Sequence, residues 1–120
     1  MREVPIGTSL CKSVVTTREM GTAHTGAAVL STPAMIGLME LICLESVKLH
    51  LDEGEQTVGT MVHVWHRAAS KIGEPVEIEA RLIERDRRKL LFEVKATGGG
   101  KLLGEGTHER FVIDASRFGG

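Results

Sequence analysis

The chain has 120 residues, of which 42% are hydrophobic and 26% charged, and this length and composition predict one globular domain over residues 1–120. A net charge of -1, one Trp, three Phe and no Tyr argue against a nucleic-acid-binding surface, which needs positive charge and aromatic stacking. The N-terminal residues lack a signal-peptide pattern, and no apolar run is long enough to span a bilayer. These features predict a cytoplasmic protein that does not bind nucleic acid or a membrane.

In chain order, the pattern first predicts a strand over about Ser9–Thr16 and then one long helix from Thr32 to about Leu51. Thr32 is predicted as the N-cap, because its hydroxyl can accept a hydrogen bond from a free backbone N–H. Pro33 then suits the first helical position, where no N–H is needed. Apolar residues cover most of the circumference as far as Leu44, so the helix is predicted to be buried on nearly all sides.

Downstream of the helix, hydrophobicity alternates with a period of two, which predicts four antiparallel strands in a meander. They cover about residues 60–68, 76–82, 90–96 and 101–113. Val62, Val64 and His66 are predicted to face the helix. Met61 and Trp65 are then predicted to face outwards, which favours a dimer. One helix followed by these strands predicts an α+β fold in which an antiparallel sheet wraps around the helix.

Glu40 is the most unusual residue of the predicted helix, because no other charged residue lies between Pro33 and Leu44. Burial of an ionised carboxylate without partners costs several kcal/mol. One interpretation ties Glu40 to a cation such as Arg110 at the margin of the helix. The other makes Glu40 a general base or nucleophile in an apolar pocket.

Three further positions carry candidate chemistry. His66 is either an ordinary core histidine or a proton-transfer group. Arg110 lies on the same face of the last strand as His108, and either forms cross-strand ion pairs or binds a phosphate or carboxylate. The missing side chain of Gly59 either serves strand entry or lets a ligand approach the backbone. No residues have the spacing of a metal site, so no metal is predicted.

Together, these segments resemble the hotdog-fold acyl-CoA thioesterases of the fluoroacetyl-CoA thioesterase type. The resemblance is carried by the runs STPAMIGLME at Ser31–Glu40 and GEGTHER at Gly104–Arg110, and by Gly59-Thr60 and His66. It covers roughly Thr32 to the C-terminus. It implies a hotdog fold and a homodimer or dimer of dimers that binds acyl-CoA at the subunit interface. Coenzyme A is then part of the substrate, and no further cofactor is implied.

On matching positions, the resemblance implies that Thr32, Glu40 and His66 form the catalytic group. Gly59 and Arg110 match residues that position the thioester or coenzyme A. Thr32 and Glu40 are eight residues apart, about 12 Å along a continuous helix. One site therefore needs either a bend after Thr32 or residues from two chains.

The resemblance does not extend to the segment before the helix. The fluoroacetyl-specific type has a Phe-bearing lid there, whereas residues 18–30 of this chain contain no aromatic residue. The resemblance thus implies hydrolysis of a short or small acyl-CoA thioester and leaves the acyl group open. The alternatives are a non-catalytic dimer that binds an acyl-CoA or small acyl ligand, and a hydratase or dehydratase that acts on acyl-CoA.

Overall fold

A five-stranded antiparallel sheet packs against one α-helix in the computed structural model, which describes residues 3–22 and 28–117. The helix and strands are, in chain order, β1 (Ser9–Val15), α1 (Thr32–Ser46), β2 (Glu55–His66), β3 (Pro75–Asp86), β4 (Lys89–Gly98) and β5 (Lys101–Asp114). Short 3-10 turns cover Arg18–Met20, Lys48–His50 and Ala115–Arg117. The predicted α+β class is confirmed. β3, β4 and β5 extend beyond their predicted bounds, β2 begins earlier and ends at His66 rather than at residue 68, and β1 ends one residue early.

The helix begins one residue away from its predicted cap. Ser31 is the N-cap, and its Oγ accepts a hydrogen bond from the Ala34 N–H at 3.2 Å. The prediction of Thr32 as the N-cap is therefore wrong, since Thr32 is the first helical residue and Pro33 follows it. α1 also ends at Ser46 rather than near residue 51, because the chain tightens there into the short turn at 48–50. The early start leaves the Thr32 hydroxyl free for another partner.

The prediction that the helix is buried on nearly all sides is wrong for a single chain. Its buried residues are Met35, Met39, Ile42 and Cys43, which face the sheet. Leu41 on another side is 48% exposed. The cause is geometric, because a single sheet covers only one side of a helix, and α1 packs mainly on β3 and β1.

The strand order is β1-β3-β4-β5-β2, so the predicted four-stranded meander is only partly right. β3, β4 and β5 do form consecutive hairpins, but β2 pairs with β5 rather than with β3. Residues 67–74 connect β2 at one edge of the sheet to β3 near the other. Alternation alone cannot distinguish these topologies, because it fixes which face a side chain takes and not which strand is adjacent. Within the described ranges, β2 has a partner strand on one side only.

A β-bulge in β2 decides which residues face the helix. Gly59 lies opposite Arg110, but the next pair is Met61 with Glu109, so Thr60 is the extra residue. Residues before the bulge therefore face the helix at odd numbers and those after it at even numbers. The inward residues are Thr57, Gly59, Val62, Val64 and His66. The predicted inward side of the last three is confirmed, and Trp65 is 47% exposed on the outward side.

Candidate active site

At the start of the helix, Thr32 and His66 form a hydroxyl–imidazole pair. The Thr32 Oγ1 lies 2.7 Å from the His66 Nδ1. Gly104, the partner of His66 on β5, makes this approach possible. A Cβ at Gly104 would lie 2.5 Å from the Met35 Sδ, so the Met35 side chain from the first turn of the helix packs directly over this glycine. Two elements distant in sequence thus hold one hydrogen-bonded pair.

The other ring nitrogen of His66, Nε2, is buried. It has no hydrogen-bond partner among residues 3–22 and 28–117. An unsatisfied buried polar group costs about 1–3 kcal/mol, and such groups in folded proteins call for an explanation such as a ligand. Nε2 is therefore the atom of this pair that is left to meet a bound molecule.

A second group surrounds Gly59, near the middle of β2. A Cβ built there would lie 3.1 Å from the Glu40 Oε2 and the His108 Cε1, and 3.4 Å from the Arg110 Nη1. The absence of a side chain at Gly59 thus leaves a small space bounded by a carboxylate, an imidazole and a guanidinium. Gly59 lies inside β2 rather than at its first residue, so a role in strand entry alone does not explain this glycine.

Arg110 is held in this group by neutral partners. Its side chain is buried, with the residue 5% exposed. Its Nε donates to the Thr57 Oγ1 and its Nη2 to the Thr57 carbonyl, both at 2.8 Å. Its Nη1 donates to the His108 Nε2 at 3.1 Å. Burial lowers the pKa of Arg110, and nearby Cys43 and Glu40 oppose that shift. Arg110 is thus fixed by Thr57 and His108, beside the Glu40 carboxylate.

His108 was given no role by the sequence, although alternation correctly placed it beside Arg110. It is 1% exposed, and its Nδ1 lies 2.8 Å from the Met61 carbonyl oxygen. The carbonyl can only accept and the guanidinium can only donate, so His108 is a neutral ring with its proton on Nδ1. Thr57 was missed altogether, because nothing in the sequence marks a strand threonine as an arginine ligand.

The burial of His108 has a consequence for stability. Burial, with the charge of Arg110, lowers the pKa of His108, against the Met61 carbonyl, Glu40 and Glu109, which favour the protonated ring. Below about pH 6.5, the unfolded chain takes up a proton at this position that the folded chain does not bind. Above that pH, the free energy of unfolding keeps the whole contribution of the neutral His108 ring. We therefore expect this contribution to be lost, and the free energy of unfolding to decrease, as the pH falls from 7.5 to 5.5.

Urea unfolding at the two pH values, in wild type and His108→Gln, isolates the contribution of this residue. The decrease should be smaller in the variant, which has no group that titrates there. Equal decreases in the two proteins would contradict the assignment of a buried neutral ring.

Cys43 lies close to the second group but is not a candidate nucleophile. Its side chain is buried, and burial raises the pKa of the thiol to about 12, with Arg110 opposing and Glu40 adding to the shift. The thiol is therefore protonated at neutral pH, and only the thiolate is an effective nucleophile. Cys43 is a small core residue, as the sequence predicted.

The five predicted site residues thus fall into two groups within one chain. Thr32 pairs with His66, whereas Glu40 lies with Gly59 and Arg110. Since α1 runs without interruption from Thr32 to Ser46, the expected bend after Thr32 is not present. Eight residues of continuous helix separate Thr32 from Glu40, a rise of about 12 Å. A single chain does not bring the two groups together.

The space at Gly59 gives a direct test by substitution. A methyl group in Gly59→Ala would press on the Glu40 carboxylate and the His108 ring, so we expect kcat/KM for the reaction proposed below to fall about tenfold to hundredfold. The adjacent Val58→Ala is the control, because Val58 faces outwards opposite Phe111 and should keep near-wild-type turnover. Wild-type turnover in Gly59→Ala would show that this space is not used.

The segment at residues 18–30, where the resemblance fails, can be described only at its ends, because residues 23–27 lie outside the described residues. On either side, Gly21 and Leu30 form an antiparallel bridge. The Ser31 N–H donates to the Met20 carbonyl at 2.8 Å. The chain before the helix is therefore anchored close to Thr32.

Comparisons with known proteins agree with this fold. The family model described as fluoroacetyl-CoA-specific thioesterase matches residues 12–116. The fluoroacetyl-CoA thioesterase of Streptantibioticus cattleyicolor is 39% identical over 90 residues, which are 75% of this chain and 65% of that protein, so the match spans slightly less than two thirds of the relative.

Among solved structures, a fluoroacetyl-CoA thioesterase superimposes with a TM-score of 0.90 at 30% identity, covering 97% of this chain and 93% of that one. A hot-dog-like protein from Thermanaerovibrio acidaminovorans has a TM-score of 0.86 at 21% identity, covering 97% and 94%, and shares the fold. The hotdog fold is therefore confirmed, and the chain belongs to the fluoroacetyl-CoA-specific thioesterase family.

Proposed function

We propose that this protein hydrolyses a small acyl-CoA thioester to the free acid and coenzyme A, in an active site that two copies of the chain build together. The observation that carries the proposal is the pair of incomplete groups along one helix. Thr32 and His66 offer a hydroxyl and a free ring nitrogen, and Glu40, Gly59 and Arg110 offer a carboxylate, a space and a buried cation. Thioester hydrolysis needs all of these functions around one carbonyl.

The free edge of β2 provides a way to join the two groups. Two β2 strands that pair antiparallel, with a two-fold axis at His63 and with Thr60 again as the extra residue, place Gly59 of each protomer opposite His66 of its partner. Directly paired residues are about 5 Å apart, and a two-fold axis normal to the sheet keeps both on the helix side. Val62 faces the helix side and yet is 42% exposed, as expected of a residue that a second chain covers. The homodimer is therefore the active form.

The chemistry then follows from the roles that each group can take. Glu40 either takes a proton from a water that attacks the thioester carbonyl, or attacks that carbonyl itself to form a mixed anhydride, which a water then hydrolyses to the free acid and the regenerated carboxylate. The C–S bond breaks, the sulfur leaves as coenzyme A thiolate, and the His66 Nε2 supplies its proton. Thr32 orients the ring through Nδ1. The N–H groups of Arg110 stabilise negative charge that develops near Glu40.

A small acyl group fits this proposal best, because Glu40, His108 and Arg110 crowd the position beside Gly59 even for a single added carbon. Two of the proteins compared above are thioesterases for fluoroacetyl-CoA, which carries a two-carbon acyl group. Since residues 18–30 of this chain lack an aromatic residue, we place fluoroacetyl-CoA among the substrates to be tested rather than as the assigned one.

Coenzyme A enters as part of the substrate, and the proposed chemistry uses no other cofactor. No helix in the described part of the chain is long and apolar enough to cross a membrane. Cys11 is exposed and Cys43 buried, and both are unpaired. Unpaired cysteines agree with a reducing compartment such as the cytoplasm, where acyl-CoA thioesters are met.

Release of free thiol from a panel of acyl-CoAs tests the proposal. Acetyl-, fluoroacetyl-, propionyl- and butyryl-CoA are each incubated with the protein, and the thiol is titrated with a chromogenic disulfide. We expect turnover of at least one short acyl-CoA. A rise in melting temperature with acyl-CoA but no thiol release would instead indicate a binding dimer, and hydration of an enoyl-CoA would indicate a hydratase.

A further inference from the structure

We propose that His108 is a positioning residue that fixes the Arg110 guanidinium against the space above Gly59. This inference rests on the proposed function, because it explains how Arg110 is held beside a reacting thioester. No role was assigned to His108 from the sequence. Each of its two ring nitrogens forms a hydrogen bond. The Nδ1 bonds to the Met61 carbonyl, and the Nε2 bonds to the Arg110 Nη1.

The five N–H groups of a guanidinium have fixed directions in one plane, so three bonds are enough to set its orientation. In Arg110 these three go to the Thr57 hydroxyl, the Thr57 carbonyl and the His108 Nε2. Thr57 alone holds the Nε and Nη2 side of the group. His108 holds Nη1, which is the nitrogen that lies nearest to Gly59.

The remaining two N–H groups of Arg110 receive no acceptor from the residues that the structure describes. One of them is on Nη1, and the Glu40 Oε2 lies within about 6.5 Å of that atom, with the space above Gly59 between them. This N–H on Nη1 can donate a hydrogen bond to a carbonyl oxygen on which negative charge develops. If Nη1 were not held by His108, it would be free to turn towards Glu40 and close the space.

His108 can fulfil this role because a hydrogen bond at its other ring nitrogen fixes the orientation of the ring. The Nδ1–H donates to the Met61 carbonyl, which lies next to the bulge of β2. That bond leaves Nε2 as an acceptor, and only a neutral ring can accept from a guanidinium. The same bulge that turns Gly59 inwards therefore also supplies the carbonyl that aligns His108.

Two polar substitutions separate positioning from packing. In His108→Gln, the amide oxygen is as many bonds from Cβ as the histidine Nε2 and can still accept from Arg110. In His108→Asn, the amide reaches only as far as Nδ1, so the bond to Met61 is kept and the acceptor for Arg110 is lost. We expect kcat/KM to fall about tenfold to hundredfold in His108→Asn and to recover to within about threefold of wild type in His108→Gln. Equal activities in the two variants would overturn the proposal.

A spectroscopic readout keeps the test independent of turnover. The Nη1–H resonance of Arg110 should exchange slowly with water in wild type and in His108→Gln, and should exchange rapidly or broaden in His108→Asn. If no acyl-CoA is hydrolysed by the wild type, the proposed function fails, while the resonance still decides the role of His108. Slow exchange in all three proteins would show that Thr57 suffices to hold Arg110 and would refute the inference.

Discussion

Glu40→Gln should reduce kcat for the best acyl-CoA about 10³-fold while leaving the protein folded. The substitution keeps the size of the side chain and removes the charge, so Glu40 can neither attack a carbonyl nor take a proton from water. A positioned general base contributes about 10²–10⁴-fold, and a nucleophile contributes at least as much. The measurement is steady-state thiol release, with circular dichroism to confirm folding.

Glu45→Gln is the matched control for that experiment, because it removes a carboxylate from the same helix. Glu45 forms a surface ion pair with Lys12 at 2.6 Å, and exposed pairs of this kind contribute about 0–1 kcal/mol to stability. Its turnover should match wild type. If Glu40→Gln kept more than a tenth of the wild-type kcat, the carboxylate would be neither the base nor the nucleophile of the reaction.

His66→Asn should lower kcat about 10²–10³-fold. The asparagine amide reaches the position of Nδ1 and can keep the bond to Thr32, but it has no counterpart of the unpartnered Nε2. The experiment therefore removes proton transfer to the leaving thiolate without removing the partner of Thr32. A substrate with a more acidic thiol leaving group should be affected less, because its sulfur needs the proton less.

His63→Asn serves as the control for His66, since the two histidines lie on opposite faces of β2. The His63 ring packs against Trp65 on the outward face, with ring centroids 4.5 Å apart. Turnover in His63→Asn should stay close to wild type. Equal losses in the two variants would point to damage of the strand rather than to a role for Nε2.

Much of the fold was predictable because it depends on periodicity. The helix start near Thr32 and the inward side of Val62, Val64 and His66 follow from apolar spacing, and both are correct in the structure. The position of β2 at the edge of the sheet was not predictable, because alternation does not identify neighbouring strands. The helix was expected to be buried all round for a related reason, since its apolar sides do not reveal whether one chain or two cover them.

The candidate site was harder to predict from periodicity than the fold. A strand without a bulge places Gly59 and His66 on opposite faces, because His66 follows Gly59 by seven positions, an odd offset. The extra residue at Thr60 restores both to the helix side, and its sequence gives no distinctive signal. The resemblance to a family supplied both residues where periodicity alone separated them. His108 and Thr57 escaped notice because their roles are defined by what Arg110 contacts across two strands.

Because the site residues form two separate groups in one chain, the proposed hydrolysis requires a dimer. Thr32 with His66 and Glu40 with Arg110 are each well placed inside one chain, and the continuous helix keeps the two groups apart. In the two-fold dimer that we propose, each active site would take one group from each protomer. A defect in one group of one chain therefore damages only one of the two sites.

Co-expression of Glu40→Gln and His66→Asn chains with different affinity tags tests this arrangement most directly. Each homodimer should be inactive. In the doubly tagged heterodimer, one site combines both defects and the other combines an intact Glu40 with an intact His66, so we expect about half of the wild-type activity per dimer. A heterodimer as inactive as the two parents would contradict the account, because it would mean that each chain uses its own Glu40 with its own His66.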